Sequence, residues 1–371
     1  MDTHNFDVIV IGAGIVGATT ASQIADGRRV ALIEAEEAAG YHTTGRSAAV
    51  WLQNYGPADA QALTRASRDF LTTPPAGFTE AQLFARRGAM YVASAPQEPA
   101  LRDLLRTGLG VREISPAEAR AIVPALRLEA TVAAAYEDDA YDLDVAAIHQ
   151  GFLGLLRRRG GTLALRSRAG RIARTSGIYE VEVTGGALFR APVVVNAAGA
   201  WGDEIAALAG ARPIGLTPMR RTACIIDPAP YDVEHWPMLN DMEENWYCRP
   251  EARTKLMVSP ADETPSFAHD VQPEEIDVAI GIDNMQQALA IEVRRIERSW
   301  AGLRTFTPDR GLAIGFDPAL DGFFWCVGQG GYGIQTSPAA GRLAAGLIAG
   351  KLDTDLTDVA RMTDPARFQP G

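Results

Sequence analysis

The residues best equipped for chemistry are a glycine-spaced turn, Gly12-Ala13-Gly14-Ile15-Val16-Gly17, and a few arginines and tyrosines far downstream. The turn follows an apolar run, Phe6-Asp-Val-Ile-Val-Ile11, and opens a small-residue segment from Ile15 to Ala25 that Gly27 stops. A second apolar run, Arg29-Val-Ala-Leu-Ile-Glu34, ends on an acid. Together these predict a strand, turn, helix and strand in which each glycine has a task. Gly12 permits the tight turn, Gly14 lets the backbone approach a pyrophosphate, and Gly17 lets helix and strand pack closely. The helix N-terminus at Ile15 faces the phosphates. Glu34, with Ala35 beside it, can accept from ribose hydroxyls, and its charge repels a 2′-phosphate.

NAD and FAD share this fingerprint, so the remaining elements must choose. Three further glycine-bearing polar segments do so: Gly40-Tyr-His-Thr-Thr-Gly-Arg-Ser47, Asn196-Ala-Ala-Gly-Ala-Trp201 and Gly328-Gln-Gly-Gly-Tyr-Gly-Ile-Gln-Thr336. Two of them end runs of buried-strand character, Pro192 to Gly199 and Gly322 to Gly328, and so reach the same sheet edge as the first turn. FAD must be held along its whole length, and this supply of backbone loops favours it over a nicotinamide cofactor. Helices are expected at Ala200–Gly210 and Ser337–Gly350, with Pro338 in a first turn where a missing N–H costs least. Alternating patterns at Met90-Tyr-Val-Ala-Ser94, Val132–Tyr136 and Thr222–Asp227 predict an antiparallel sheet with one wet face. The expected fold is α/β: a Rossmann-like FAD-binding domain (1–85, 140–216, 299–371) interleaved with an antiparallel-sheet substrate domain (86–139, 217–298), a glutathione-reductase-like FAD fold.

The composition narrows the partners. A formal charge of −11 argues against nucleic-acid binding and against docking on an anionic membrane through a basic patch. The apolar run Val8–Ala18 is preceded by Asp2 and Asp7 and punctuated by glycine, which argues against an export signal. The uncharged stretch Gly322–Gly341 is too rich in glycine and polar residues to span a bilayer, so no membrane span is expected. Cys224, Cys248 and Cys326 fit neither a metal site nor a disulfide framework. A reducing, cytoplasmic location is expected, with peripheral contact to an inner membrane left open. Oligomeric state is open too.

Taken together, the motifs resemble the FAD-dependent D-amino acid oxidase and dehydrogenase family, which also includes glycine and sarcosine oxidases. The resemblance runs from Val8 to about Gly350. The strongest likeness is to bacterial D-arginine-type dehydrogenases, through Gly40-Tyr-His-Thr-Thr-Gly-Arg-Ser-Ala-Ala49, Pro74-Pro-Ala-Gly-Phe78, Trp300-Ala-Gly-Leu-Arg304 and Gln329-Gly-Gly-Tyr-Gly-Ile-Gln-Thr-Ser337. It implies that Ser47 and Ala48 lie near the flavin ring, that Gly45 and Arg46 beside them also bind the cofactor, and that Ala169 meets the adenine through its backbone. It also implies that Ala198 and Gly199 lie along the dinucleotide. Gly331 to Thr336, among them Gly333, Ile334 and Gln335, would offer backbone N–H groups at the pyrimidine end of the ring, where reduction places negative charge, and Gly330 would also bind the cofactor. Some sarcosine-type relatives link FAD to a cysteine just after the position of Arg304. Here the chain reads Leu303-Arg-Thr-Phe306, which implies non-covalent FAD.

An amino acid substrate presents a carboxylate, for which a guanidinium is the natural clamp, and both Arg220-Arg221 and Arg304 offer one. The resemblance selects Arg304 and Arg221, adds the hydroxyls of Tyr247 and Tyr55, and gives the backbone carbonyl of Gly331 to the amine. No catalytic base is needed for hydride transfer from Cα to flavin N5 once the amine is neutral, and none of the five histidines has a motif partner. The side-chain pocket departs from the pattern. Val50 stands where the D-arginine-type enzymes have a histidine, and Ala89 where they have an acid. An unpaired guanidinium buried there would cost several kcal/mol, so an apolar or small D-amino acid is expected. An inward Arg86 or Arg87 would instead admit an acidic one.

The resulting expectation is oxidative deamination of a D-amino acid to an imino acid, hydrolysed to a 2-oxo acid and ammonia, with electrons passed to a quinone or another acceptor. Two alternatives stand beside it: an oxidase using O₂ on D-amino, N-methyl amino or 2-hydroxy acids, and a flavin-bearing subunit without turnover. No metal is expected.

Overall fold

The computed structural model describes residues 3–368. A six-stranded sheet runs in the order Thr162–Ala164, Val30–Ile33, Val8–Ile11, Val193–Asn196, Phe323–Val327, Ala313–Phe316. Every neighbouring pair is parallel except the last. Val8–Ile11, Val30–Ile33 and Phe323–Val327 are buried along their whole length, which is why they read as unbroken apolar runs. The helices Ile15–Ile24 and Gly333–Ala349 cross closely, because a Cβ on Gly341 would lie 2.2 Å from the Thr19 methyl.

The second of these helices begins at Gly333, four residues before the expected Ser337, so Pro338 sits inside it rather than at its start. Proline removes the bond that would reach the carbonyl of Ile334. The Ser337 hydroxyl donates to that carbonyl at 2.9 Å, and the Ala339 N–H turns to Ser67 Oγ at 3.1 Å. Local side-chain hydrogen bonds thus let the helix run through the proline.

A nine-stranded sheet carries the other half of the fold. Its spine is Thr264–Pro265, Thr217–Ile226, Lys255–Ser259, Tyr247–Glu251, Met238–Asp241, Ala89–Ala93, Ala133–Glu137 and Val111–Ile114, with Ile296–Phe306 paired on Thr217–Ile226. Only Met238–Asp241 and Ala89–Ala93 run parallel. The strand Ile296–Phe306 pairs with Thr217–Ile226 along nearly its entire length, from Phe306 opposite Thr217 to Ile296 opposite Ile226. The boundary expected at 299 therefore cuts a strand, because alternation through Arg298–Phe306 continues the antiparallel ladder. A four-stranded sheet (Thr3–Asn5, Leu188–Ala191, Ile178–Val183, Ala169–Thr175) and a three-stranded one (Val50–Leu52, Ala140–Leu143, Phe84–Arg86) complete the architecture.

Among the described residues no helix is long and apolar enough to cross a membrane, and no group of His, Cys, Asp or Glu could hold a metal ion. The three cysteines are free and buried, and burial pushes the Cys224 and Cys326 thiols up to about 12.

Candidate active site

The C-terminal ends of the parallel strands deliver the glycine turns to one long cleft. Gly12 has φ +102°, and a Cβ there would lie 2.5 Å from the carbonyl oxygen of Ala197. A Cβ on Gly17 would sit 1.8 Å from the Gly12 carbonyl oxygen, so only glycine lets the helix start this close to the turn. The turn is fastened by two side chains from elsewhere in the chain. Thr44 Oγ1 accepts from the Ile15 N–H at 2.9 Å, and the buried His149 places Nε2 3.0 Å from the Ala13 carbonyl. Burial holds the His149 imidazole below its ordinary value, so the neutral ring donates. Glu34 accepts from the Ala13 and Glu36 N–H groups at 2.7 and 3.0 Å, and its carboxylate faces the cleft from the end of Val30–Ile33.

Most of the residues expected at a cofactor line this cleft: Gly12, Gly14, Ile15, Glu34, Ala35, Arg46, Ser47, Ala48, Ala169, Ala198, Gly199, Gly330, Gly331, Gly333 and Ile334. Four others shape it from behind. Gly17 packs the helix, and a Cβ on Gly45 would stand 2.7 Å from the Gly40 carbonyl oxygen. The side chain of Gln335 turns away into the core, accepting from the Leu52 N–H at 3.0 Å and donating to Thr64 Oγ1 at 2.9 Å. Thr336 donates back to the Tyr332 carbonyl at 2.9 Å. Arg46 also lines the cleft, but its guanidinium is spent on the carbonyls of Val271 and Ala301 and on Asp270. FAD fits these residues: glycine cradles that any Cβ would fill, and a buried amide nitrogen, Gln329 Nε2, in the cleft wall without a protein partner.

At the inner end stand Arg304, Arg221 and Tyr247, brought together from Ile296–Phe306, Thr217–Ile226 and Tyr247–Glu251. Arg304 donates to the Tyr55 hydroxyl at 2.8 Å and has no carboxylate at ion-pair distance among the described residues. Burial opposes its charge, but Tyr55, Tyr247 and the more distant Glu244 carboxylate together outweigh it and its pKa rises. A Cβ on Gly331 would lie 2.8 Å from Arg304 Nη1 and 2.9 Å from the Tyr55 hydroxyl, so its backbone touches both groups. Arg221 is already engaged, donating to the Asp262 carbonyl at 2.8 Å and to Glu263 at 3.1 Å. Burial alone would raise the Tyr247 phenol, yet the Arg304 and Arg221 charges beside it hold its pKa below the ordinary value.

Neither Val50 nor Ala89, the residues of the expected side-chain pocket, lines the cleft. Val50, Tyr55, Tyr91 and Tyr247 pack on the buried cluster Leu52, Ala89, Ala140 and Met238. Ala89 is wholly buried and lines no part of the cleft. Directly across the ladder from it stands Glu137, fully buried, with Tyr91 donating to one carboxylate oxygen at 3.0 Å and no partner on the other. Burial raises its pKa. Sequence reasoning missed this acid because strand register, not local spacing, sets it beside Ala89. Arg86 and Arg87 do not enter the cleft: Arg87 donates to Asp142 at 2.7 Å, and Arg86 reaches Asp138. His42 sits in the cleft wall beside Glu36 at 3.1 Å.

The chain belongs to the FAD dependent oxidoreductase (DAO) family, whose model matches residues 7–347. It is 25% identical over 383 residues to glycine oxidase of Geobacillus kaustophilus (strain HTA426), covering 94% of each chain. Its fold matches that of L-proline dehydrogenase from P. horikoshii with a TM-score of 0.85 at 23% identity, over 99% of this chain and 98% of that one. Glycine oxidase from Geobacillus kaustophilus matches with the same score at 21% identity, over 99% and 100%. The protein is thus an FAD-dependent oxidoreductase with the α/β fold of this family.

Proposed function

We propose that this protein oxidises a small 2-amino acid at Cα and that Arg304 holds the substrate carboxylate. The observation that carries the reading is the guanidinium of Arg304, half-buried at the inner end of the cleft with no carboxylate partner among the described residues. A desolvated cation left so is costly unless a ligand supplies the anion. Bound FAD supplies the two-electron acceptor for the Cα–H of the substrate. Tyr55 is fixed by its bond from Arg304, and Tyr247 stands beside the Arg304 and Arg221 charges. The carbonyl of Gly331 is the acceptor assigned to the amine. The motif likeness to D-arginine-type dehydrogenases favours a D-configured substrate and an acceptor other than O₂. The similarity to a glycine oxidase favours a second reading, an oxidase of glycine or another small amine.

One panel separates them: glycine, sarcosine, proline and paired D- and L-amino acids, assayed with a dye acceptor and with O₂. The expected outcome is turnover of small D-amino acids with the dye and little H₂O₂. Turnover confined to L-enantiomers would overturn the stereochemical part. H₂O₂ formed at the rate of substrate loss would overturn the dehydrogenase.

A further inference from the structure

Arg221 and Arg304 both line the inner cleft, yet their electrostatic situations differ. Arg221 is 8% exposed and donates to Glu263 at 3.1 Å. The same Glu263 oxygen accepts from Arg310 at 2.8 Å, and its second oxygen lies 3.0 Å from that nitrogen. Arg310 is seated 3.9 Å from the centroid of the Phe306 ring. Glu263 is anchored by its neighbour: the Asp262 carboxylate accepts from the Thr222 N–H at 2.6 Å and from its hydroxyl at 3.0 Å. The acid is therefore tied to the strand that carries Arg221.

We propose that Glu263 holds Arg221 back from the substrate and so restricts the site to substrates with one carboxylate. By holding Arg221, Glu263 leaves Arg304 as the guanidinium with no carboxylate, which matches a single substrate carboxylate. A second carboxylate on the substrate would find Arg221 already paired with Glu263. Acidic amino acids are rejected because the second guanidinium of the cleft is already paired, rather than by lack of space. Glu263 acts through Arg221, so it is a specificity residue and not a catalytic one. The inference rests on Arg304 as the carboxylate clamp.

The test uses the FAD-loaded protein and two non-oxidisable probes, propionate and succinate, titrated against the flavin absorbance. Glu263→Gln keeps the shape and removes the charge. Its affinity for succinate relative to propionate should rise about tenfold over wild type, a fold-change in the range of partly buried charge pairs. Arg310→Met leaves Glu263 wholly on Arg221, and the same ratio should fall. A merely structural role for Glu263 would not move the ratio in opposite directions in the two variants. An unchanged ratio in both, with propionate still bound, would overturn the inference while leaving the clamp intact. Failure of both probes to bind the wild type would overturn the clamp, and the inference with it. If Glu263→Gln does not accumulate as holoprotein, the Arg310→Met ratio decides alone.

Discussion

Replacing Arg304 tests the site most directly. A guanidinium carries five N–H donors in a fixed fork, and one of these is used on Tyr55. The remaining donors allow a bidentate grip on a carboxylate, which a lysine ammonium cannot reproduce. Truncating one partner of a buried hydrogen-bonded charge pair costs about 2–5 kcal/mol, and each 1.4 kcal/mol is tenfold. Taking the lower part of that range, about 2–3 kcal/mol, the expectation is about thirty- to a hundred-and-fiftyfold in substrate affinity. Arg304→Ala should therefore raise KM by that factor for every amino acid turned over, whatever its side chain. Arg304→Lys should fall between the two. Tyr55→Phe removes one hydrogen bond to a charged group and should cost less, about tenfold. The assay is initial rate with a dye acceptor, with the flavin spectrum recorded on each variant to show that FAD is still bound. A KM within threefold of wild type in Arg304→Ala, with FAD retained, would refute the clamp.

Gly17→Ala should yield no holoprotein, because its methyl would overlap the Gly12 carbonyl at 1.8 Å; a yellow, folded variant would show that the helix can shift. Ala89→Glu would set a second buried carboxyl opposite Glu137 and should cost about 3–5 kcal/mol, read as a large drop in Tm. An unchanged Tm would mean that position 89 faces open space. His149 has its pKa held below 6.5 by burial, so the unfolded chain takes up its proton first. Its contribution to stability is present above pH 6.5 and is lost as pH falls from there through the folded value. Wild-type Tm should fall more steeply below pH 6.5 than that of His149→Gln; parallel curves would show that the imidazole plays no part.

How much of this was legible in the residues depends on the range of the forces involved. The turn Gly12–Gly17 and Glu34 are readable because backbone sterics and the βαβ geometry act over a few residues. The loops at Gly40–Ser47, Asn196–Trp201 and Gly328–Thr336 are readable as well, since each follows or borders an apolar run that ends in the same sheet. Pro338 misled by the same local logic: its penalty is real, but Ser337 and the distant Ser67 meet it.

The sequence by itself determined a dinucleotide fold, the glycine cradles and the arginines able to hold a carboxylate. Only the tertiary structure decided which of those arginines lacks a carboxylate, because charge pairing is set by through-space neighbours: Glu263, beside the strand paired on Thr217–Ile226, occupies Arg221, while Arg304 donates to the Tyr55 hydroxyl. It also decided that an acid stands beside Ala89 after all, on the adjacent strand at Glu137, since the register of an antiparallel ladder is fixed by packing of the whole sheet.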